Sequence, residues 1–340
     1  MVPPSRDQVR GVGGITKDAE RVVPPSRDRV RVEGKTPSDA GEVGPKTIFS
    51  LTPQLSTLNH LHFTATGENG NVLTRGTLNF SRPLESPLPP WQIPTNLIHQ
   101  PLASFVAVRG LAPWLAALPA WQQLELTPPP DQAYFWALTG APFNVYFAAP
   151  LPAASNQLSH LAARLVQNAN PWLATNSEGN FQWQTNPPAL VWNGALILSP
   201  FLKPVIVNQP DYVLGGLARF VEGNTNPPPA EILRVVLGTT NLVYYHFERA
   251  DRRTDDDLFV IQLFRVLFHN AQLPPAAALW LRNLGPMLGD CTTLVTQTGA
   301  EQLSFTRTST LGLTALELHL LADWLESPEF PRGLHTFSTP

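Results

Sequence analysis

Cysteine is almost absent: Cys291 stands alone in 340 residues, which excludes an intrachain disulfide and a thiolate metal cage. Its setting, GDCTTLV, reads as a small apolar residue in a buried strand rather than a nucleophile. Lysine is as scarce after residue 46, where Lys203 is alone beside thirteen arginines and nineteen carboxylates. The net charge of that stretch is −5, and −3 for the whole chain. No basic stripe exists to hold a phosphate backbone, so nucleic acid is not an expected partner. No run reaches the ~18 apolar residues of a membrane span, and Met1 leads into Val-Pro-Pro-Ser-Arg-Asp rather than an apolar signal core. As written, the chain is expected in the cytoplasm. A body poor in lysine and rich in Trp, Asn, Gln, Thr and Pro suits an extracytoplasmic protein, the expectation if the true N-terminus is missing. The chain has no G-x-S-x-G elbow, H-E-x-x-H pair, Walker loop or Ca²⁺ loop. No cofactor and no metal are therefore expected.

What is present divides at about Lys46. Residues 2–10 (VPPSRDQVR) recur at 23–31 (VPPSRDRVR) with an offset of 21, and residues 1–46 lack apolar periodicity. Ordering such a leader costs backbone entropy with little burial in return, so disorder is expected there. Residues 47–340 carry thirty prolines and all nine tryptophans, the composition of a packed globular body. The expected fold class is α+β: a mixed or antiparallel sheet with covering helices, read also as a duplicated α/β unit with halves near 61–200 and 201–340.

Leu61, Phe63 and Ala65 alternate with His62, Thr64 and Thr66 before Asn69-Gly70, which predicts a β-hairpin closed by residue 80. Ser86 to Pro94 reads as an extended connector, since its prolines lack ladder donors. Strands are expected at 103–109, 133–138, 143–149, 181–184, 190–198, 212–220 and 241–248, with a short helix on Pro113. Leu158, Leu161, Ala162, Leu165 and Val166 predict a helix burying all five behind a Ser155 or Asn156 cap. Further helices are expected at 231–237, 254–269 (Thr254 as cap, Asp255 to Asp257 in its first turn), 276–288 and 315–326. A hairpin is expected at 292–298 and 302–309. Thr314 and Glu317 have capping-box spacing, with Leu313 and Leu318 as a staple.

Several constellations admit chemistry. Tyr244, His246 and Glu248 share one face of a strand, and a phenol, an imidazole and a carboxylate so placed suit acid–base work in a cleft. Arg109 and Arg219 each close an apolar strand run and are candidate anion contacts, because a planar guanidinium fork matches a carboxylate. His60 and His62 share a face but lack a third ligand. Asp255 to Asp257 suit a helix start better than a hard cation. His319 and Asp323, at i and i+4, read as a surface pair. Trp91, Trp114, Trp121, Trp136, Trp183 and Trp192 would form a sugar- or peptide-binding surface if several were exposed, although Trp136 and Trp192 have core neighbours. The expected function is a non-enzymatic binding or scaffold protein for an unknown protein or small-molecule partner. Two alternatives stand beside it: a hydrolase using the Tyr244, His246 and Glu248 set, and an apolar-ligand carrier, which requires a hollow lined by Phe and Leu.

Overall fold

The computed structural model describes residues 58–84, 88–176, 179–194, 198–206, 211–218, 226–267, 276–327 and 330–332, all within the compact unit Arg31–Pro340. The expectation for the leader, and the strand ends near 195–197 and 219–220, lie outside these residues. The first hairpin forms where the sequence predicts it. β1 (Leu58–Glu68) and β2 (Asn71–Phe80) pair antiparallel around Asn69 and Gly70, whose φ values of 50° and 78° are those the Asn-Gly turn favours.

The strands that follow are β3 (Leu102–Arg109), β4 (Gln132–Leu138), β5 (Val145–Pro150), β6 (Gly179–Thr185), β7 (Pro188–Gly194), β8 (Phe201–Ile206), β9 (Asp211–Gly216), β10 (Leu242–Arg249), β11 (Asp290–Gly299) and β12 (Gln302–Ser309). All twelve belong to one sheet, ordered β1-β2-β12-β11-β10-β3-β4-β5-β9-β8-β7-β6, and every ladder in it is antiparallel. β8 carries Pro204 and was not expected as a strand. Strands from before and after residue 200 alternate in blocks across the sheet, and the molecule is richer in sheet than its sequence pattern suggests.

The helices are α1 (Ala112–Ala117), α2 (Pro119–Leu124), α3 (Ala154–Asn168), α4 (Asn170–Asn176), α5 (Ala230–Gly238), α6 (Ala250–Leu267), α7 (Ala276–Leu284) and α8 (Ala315–Leu325). Side-chain alternation along β5 fills two cores, one on each sheet face. Tyr146 and Ala148 join Phe105, Tyr134, Trp136, Leu214 and Tyr245, packed with Ile98 just after the connector and Ile232 and Val236 of α5. Ala149 and the neighbouring Phe147 join Ala133 and Val213 on the other face, against Leu158 and Leu161 of α3. A third cluster joins α6, α7 and α8 through Ala250, Leu281, Ala315, Leu318 and Ala322.

Ser86 and Pro87 lie outside the described residues; from Leu88 to Pro94 the connector is neither helix nor strand, and side chains satisfy it where proline cannot. Gln132 Nε2 donates to the Pro90 carbonyl (2.7 Å), the Gln92 amide donates to Gln132 Oε1 (2.9 Å), and Tyr212 Oη donates to the Gln92 carbonyl (2.9 Å). Thr314 and Glu317 form the expected capping box at α8, and Leu313 packs in the cluster that holds Leu318.

Three local expectations are corrected. α3 begins one residue before the expected caps, behind Ala153 in a left-handed conformation with no side-chain cap, and Val166 is exposed rather than buried. α6 begins at Ala250 because β10 runs straight into it, so Thr254 is an interior residue whose Oγ1 donates to the Ala250 carbonyl (2.7 Å). Asp257 is consequently buried against Arg253, and Asp255 reaches Arg282 (3.1 Å). His319 and Asp323 are both buried, not a surface pair, since α8 packs on α6; His319 Nε2 lies 2.8 Å from the Thr254 carbonyl. The alternation expected along β1 holds, with Leu61 and Phe63 each 39% exposed and His62 and Thr64 half-buried.

Candidate functional site

β10 lies between β3 and β11, and its alternation aims Tyr244, His246 and Glu248 at the face where α6 and α8 pack. The three groups do come together: the Tyr244 and His246 rings are 6.5 Å apart, and His246 Nε2 lies 3.6 Å from Glu248 Oε2. Glu248, only 3% exposed, accepts a hydrogen bond from the Ala315 amide (2.8 Å) with its other oxygen, which places the carboxyl at the N-terminal end of α8. Burial raises its pKa to about 7 despite that amide. Burial and the Arg307 guanidinium lower His246 to about 4. The imidazole is thus neutral at pH 7, and the 3.6 Å contact is not an ion pair. Burial also raises Tyr244 and takes the Cys291 thiol up to about 12.

Arg307 on β12 closes this cluster. Its Nε donates to Thr293 Oγ1 (2.9 Å), and its two terminal nitrogens donate to the Glu317 carboxylate (2.6 and 3.0 Å). Burial alone would raise Glu317, but the Thr314 amide and Arg307 outweigh it and hold the group below the usual carboxylate range. The arrangement sets a buried carboxyl beside a neutral imidazole and anchors α8 to the sheet.

Arg109 is buried. Its Nε donates to the Leu242 carbonyl (2.6 Å), Nη1 to the Pro89 carbonyl (2.7 Å), and the guanidinium lies 4.6 Å from the centre of the Trp91 ring. These contacts tie the connector and the start of β10 to β3. Arg219 lies outside the described residues. Among the described residues no three His, Cys, Asp or Glu side chains gather as metal ligands. The tryptophan set is buried or half-buried throughout; Trp280, outside that set, is 61% exposed.

A feature not expected as a site lies on the other half of the sheet. β4, β5, β8 and β9 with α3, β6 and β7 enclose a trough of about 320 Å³ whose lining is aromatic and aliphatic: Phe135, Phe147, Phe181, Leu165, Leu190 and Leu202 are among its walls. Gly215 and Gly216 of β9 make room for rings on both faces. A Cβ at Gly215 would stand 2.2 Å from Phe147 Cε1, and one at Gly216 would stand 2.6 Å from Tyr146 Cδ1. Phe135 and Leu217 at the trough are 42% and 41% exposed. Asn170 fixes the far wall, accepting from the Phe181 amide and donating to the Phe181 carbonyl, both at 2.8 Å. Paired glycines in an otherwise apolar strand are the sequence signal for this close packing, but the partners they accommodate are distant in the chain. A second hollow, lined by Ser159, Asn180, Gln182 and Trp183 among others, lies beside the trough, and neither reaches Tyr244, His246, Glu248 or Arg109.

No protein-family model matches the chain, and no curated protein matches it. Among solved structures it is similar to crystal form III of TP0453 (TM-score 0.31, 6% identity, 67% of this chain and 97% of that one) and to crystal form I of TP0453 (TM-score 0.33, 7% identity, 67% and 95%). Likeness at this level carries no argument about function.

Proposed function

We propose that the protein is a non-enzymatic binding protein that carries an apolar ligand in the trough between β5, β8, β9 and α3. The observation that supports this reading is the lining: a hollow of about 320 Å³, at the small end of ligand sites, walled by Phe and Leu side chains, with Phe135 partly open to solvent. An apolar hollow in contact with water gains free energy when hydrocarbon replaces that water, at about 25 cal/mol per Å² of apolar surface covered. The hydrolase reading has weaker support, because Glu248 is engaged with the N-terminus of α8 and the Tyr244 and His246 cluster borders neither hollow. The recurring order of strand, two helices and hairpin, in β5-α3-α4-β6-β7 and β10-α6-α7-β11-β12, supports a body built from a duplicated unit.

The test is binding of nile red, a neutral apolar dye, to the full chain and to Leu165→Trp. Leu165 is a half-buried wall of the trough at the edge of the α3 core, so the larger ring fills the space while keeping an apolar contact there. Dye bound by the parent chain and weakened about tenfold or more in the variant, with an unchanged circular dichroism spectrum, is the expected result. Equal binding by both chains refutes the assignment to this trough.

A further inference from the structure

A second hollow of about 540 Å³ adjoins the trough. Phe181 lines both, and the consecutive α3 residues Leu165 and Val166 line one each. The second hollow differs in chemistry: Ser159, Asn170, Asn180, Gln182 and Trp183 are among its lining residues, with small Ala162 and Ala163 between them. No carboxylate, ammonium, guanidinium or imidazole lines either hollow among the described residues. Asn170 is already engaged with the Phe181 backbone, and Ser159 Oγ donates to the Asn156 carbonyl (2.8 Å). The amide ends of Asn180 and Gln182 touch each other only loosely, at 3.4 Å.

Resting on the carrier reading above, we infer that the ligand is a single-chain amphiphile with an uncharged, hydrogen-bonding head group of the sugar or polyol kind. Its chain occupies the trough, and its head lies in the second hollow against Asn180, Gln182 and Trp183. The volume of the trough suits one chain better than two. A charged head entering the second hollow would shed water with no counter-charge to replace it, which is costly. A polyol instead finds amides able to donate and accept, and an indole whose apolar face covers its C–H groups.

The experiment is competition against nile red on the full chain, using three amphiphiles of equal chain length below their micelle concentrations: decyl glucoside, decanoate and decyltrimethylammonium. Decyl glucoside is expected to displace the dye about tenfold more tightly than either ion. A second variant, Ala163→Lys, places a cation in the second hollow from an exposed helix position. It is expected to raise decanoate affinity about tenfold relative to that of decyl glucoside in the same variant. Equal affinity for all three, or tightest binding of an ion by the parent chain, overturns the head-group inference while leaving the carrier reading in place. If no amphiphile displaces the dye, or if Leu165→Trp binds all three as the parent does, the carrier reading itself fails and this inference falls with it.

Discussion

Glu248→Gln should make the protein more stable at pH 8 and leave it nearly unchanged at pH 4.5. The Glu248 carboxyl is buried beneath α8, and burial takes its pKa from an ordinary 4.5 to about 7. A group raised in the folded state favours folding fully below its unfolded value, and that contribution is lost as pH rises from about 4.5 to about 7. At 1.36 kcal/mol per pH unit, an elevation of this size corresponds to roughly 3 kcal/mol of lost stability at pH 8. Glutamine keeps an oxygen to accept from the Ala315 amide and never ionises, so the variant should recover roughly 1–3 kcal/mol there. His246 works with the opposite sign. Held neutral down to about 4 in the folded state, it favours folding above pH 6.5, and that contribution fades as pH falls from 6.5 to 4. Between pH 4.5 and 6.5 the folded pair carries one proton on Glu248 and the unfolded pair carries one on His246, so the two largely cancel in the parent chain. Asp257, raised by burial to about 6, adds a slope of its own in both chains, and because its charge also helps to raise Glu248, removing the Glu248 charge relieves that repulsion and adds to the gain at pH 8. The assay is urea unfolding of parent and variant at pH 4.5, 6 and 8, followed by tryptophan fluorescence. A Glu248→Gln protein that is less stable than the parent at pH 8, by a margin that grows with pH, would show that the native state favours the charged carboxylate and would refute the reasoning.

Two further perturbations test the packing. Gly215→Ala sets a methyl group against Phe147 and Leu202, at 2.2 and 2.7 Å before any adjustment, so the ring must swing away. Its expected cost is about 1–3 kcal/mol in chemical denaturation, with weaker nile red binding, and a variant unchanged in both would show that the ring does not lie over that glycine. Thr314→Ala removes the side-chain acceptor of the capping box at α8 and should cost about 1 kcal/mol in the same assay, at all pH values where Glu317 is ionised. No loss there would mean that Glu317 and Arg307 hold the helix end by themselves.

Local chemistry made much of this protein legible in one dimension. Asn69-Gly70 specified its hairpin, Thr314 and Glu317 their capping box, and Leu158, Leu161 and Ala162 the buried face of α3, because each signal acts within about four residues of itself. The same alternation placed Tyr244, His246 and Glu248 on a shared face. It carried no information about what covers that face, and the structure sets α6 and α8 there, with Ala315 of α8 hydrogen-bonded to Glu248 and Asp257 drawn into the interior. Thr254 has the chemistry of a cap but lies inside α6, because a strand running straight into a helix leaves no turn residues to mark the junction. β8 is not legible in the sequence, because Pro204 interrupts its pattern. The trough depends on pairings far apart in the chain, such as Phe147 with Gly215 across β5 and β9 and Leu202 with Gly215 across β8 and β9. Sequence determined most of the segments that become strands and helices and much of the apolar face that each presents. Only the order of twelve strands in space decided which apolar faces met each other and which were left open, since pairing partners are selected by packing across the whole sheet rather than by neighbours in the chain.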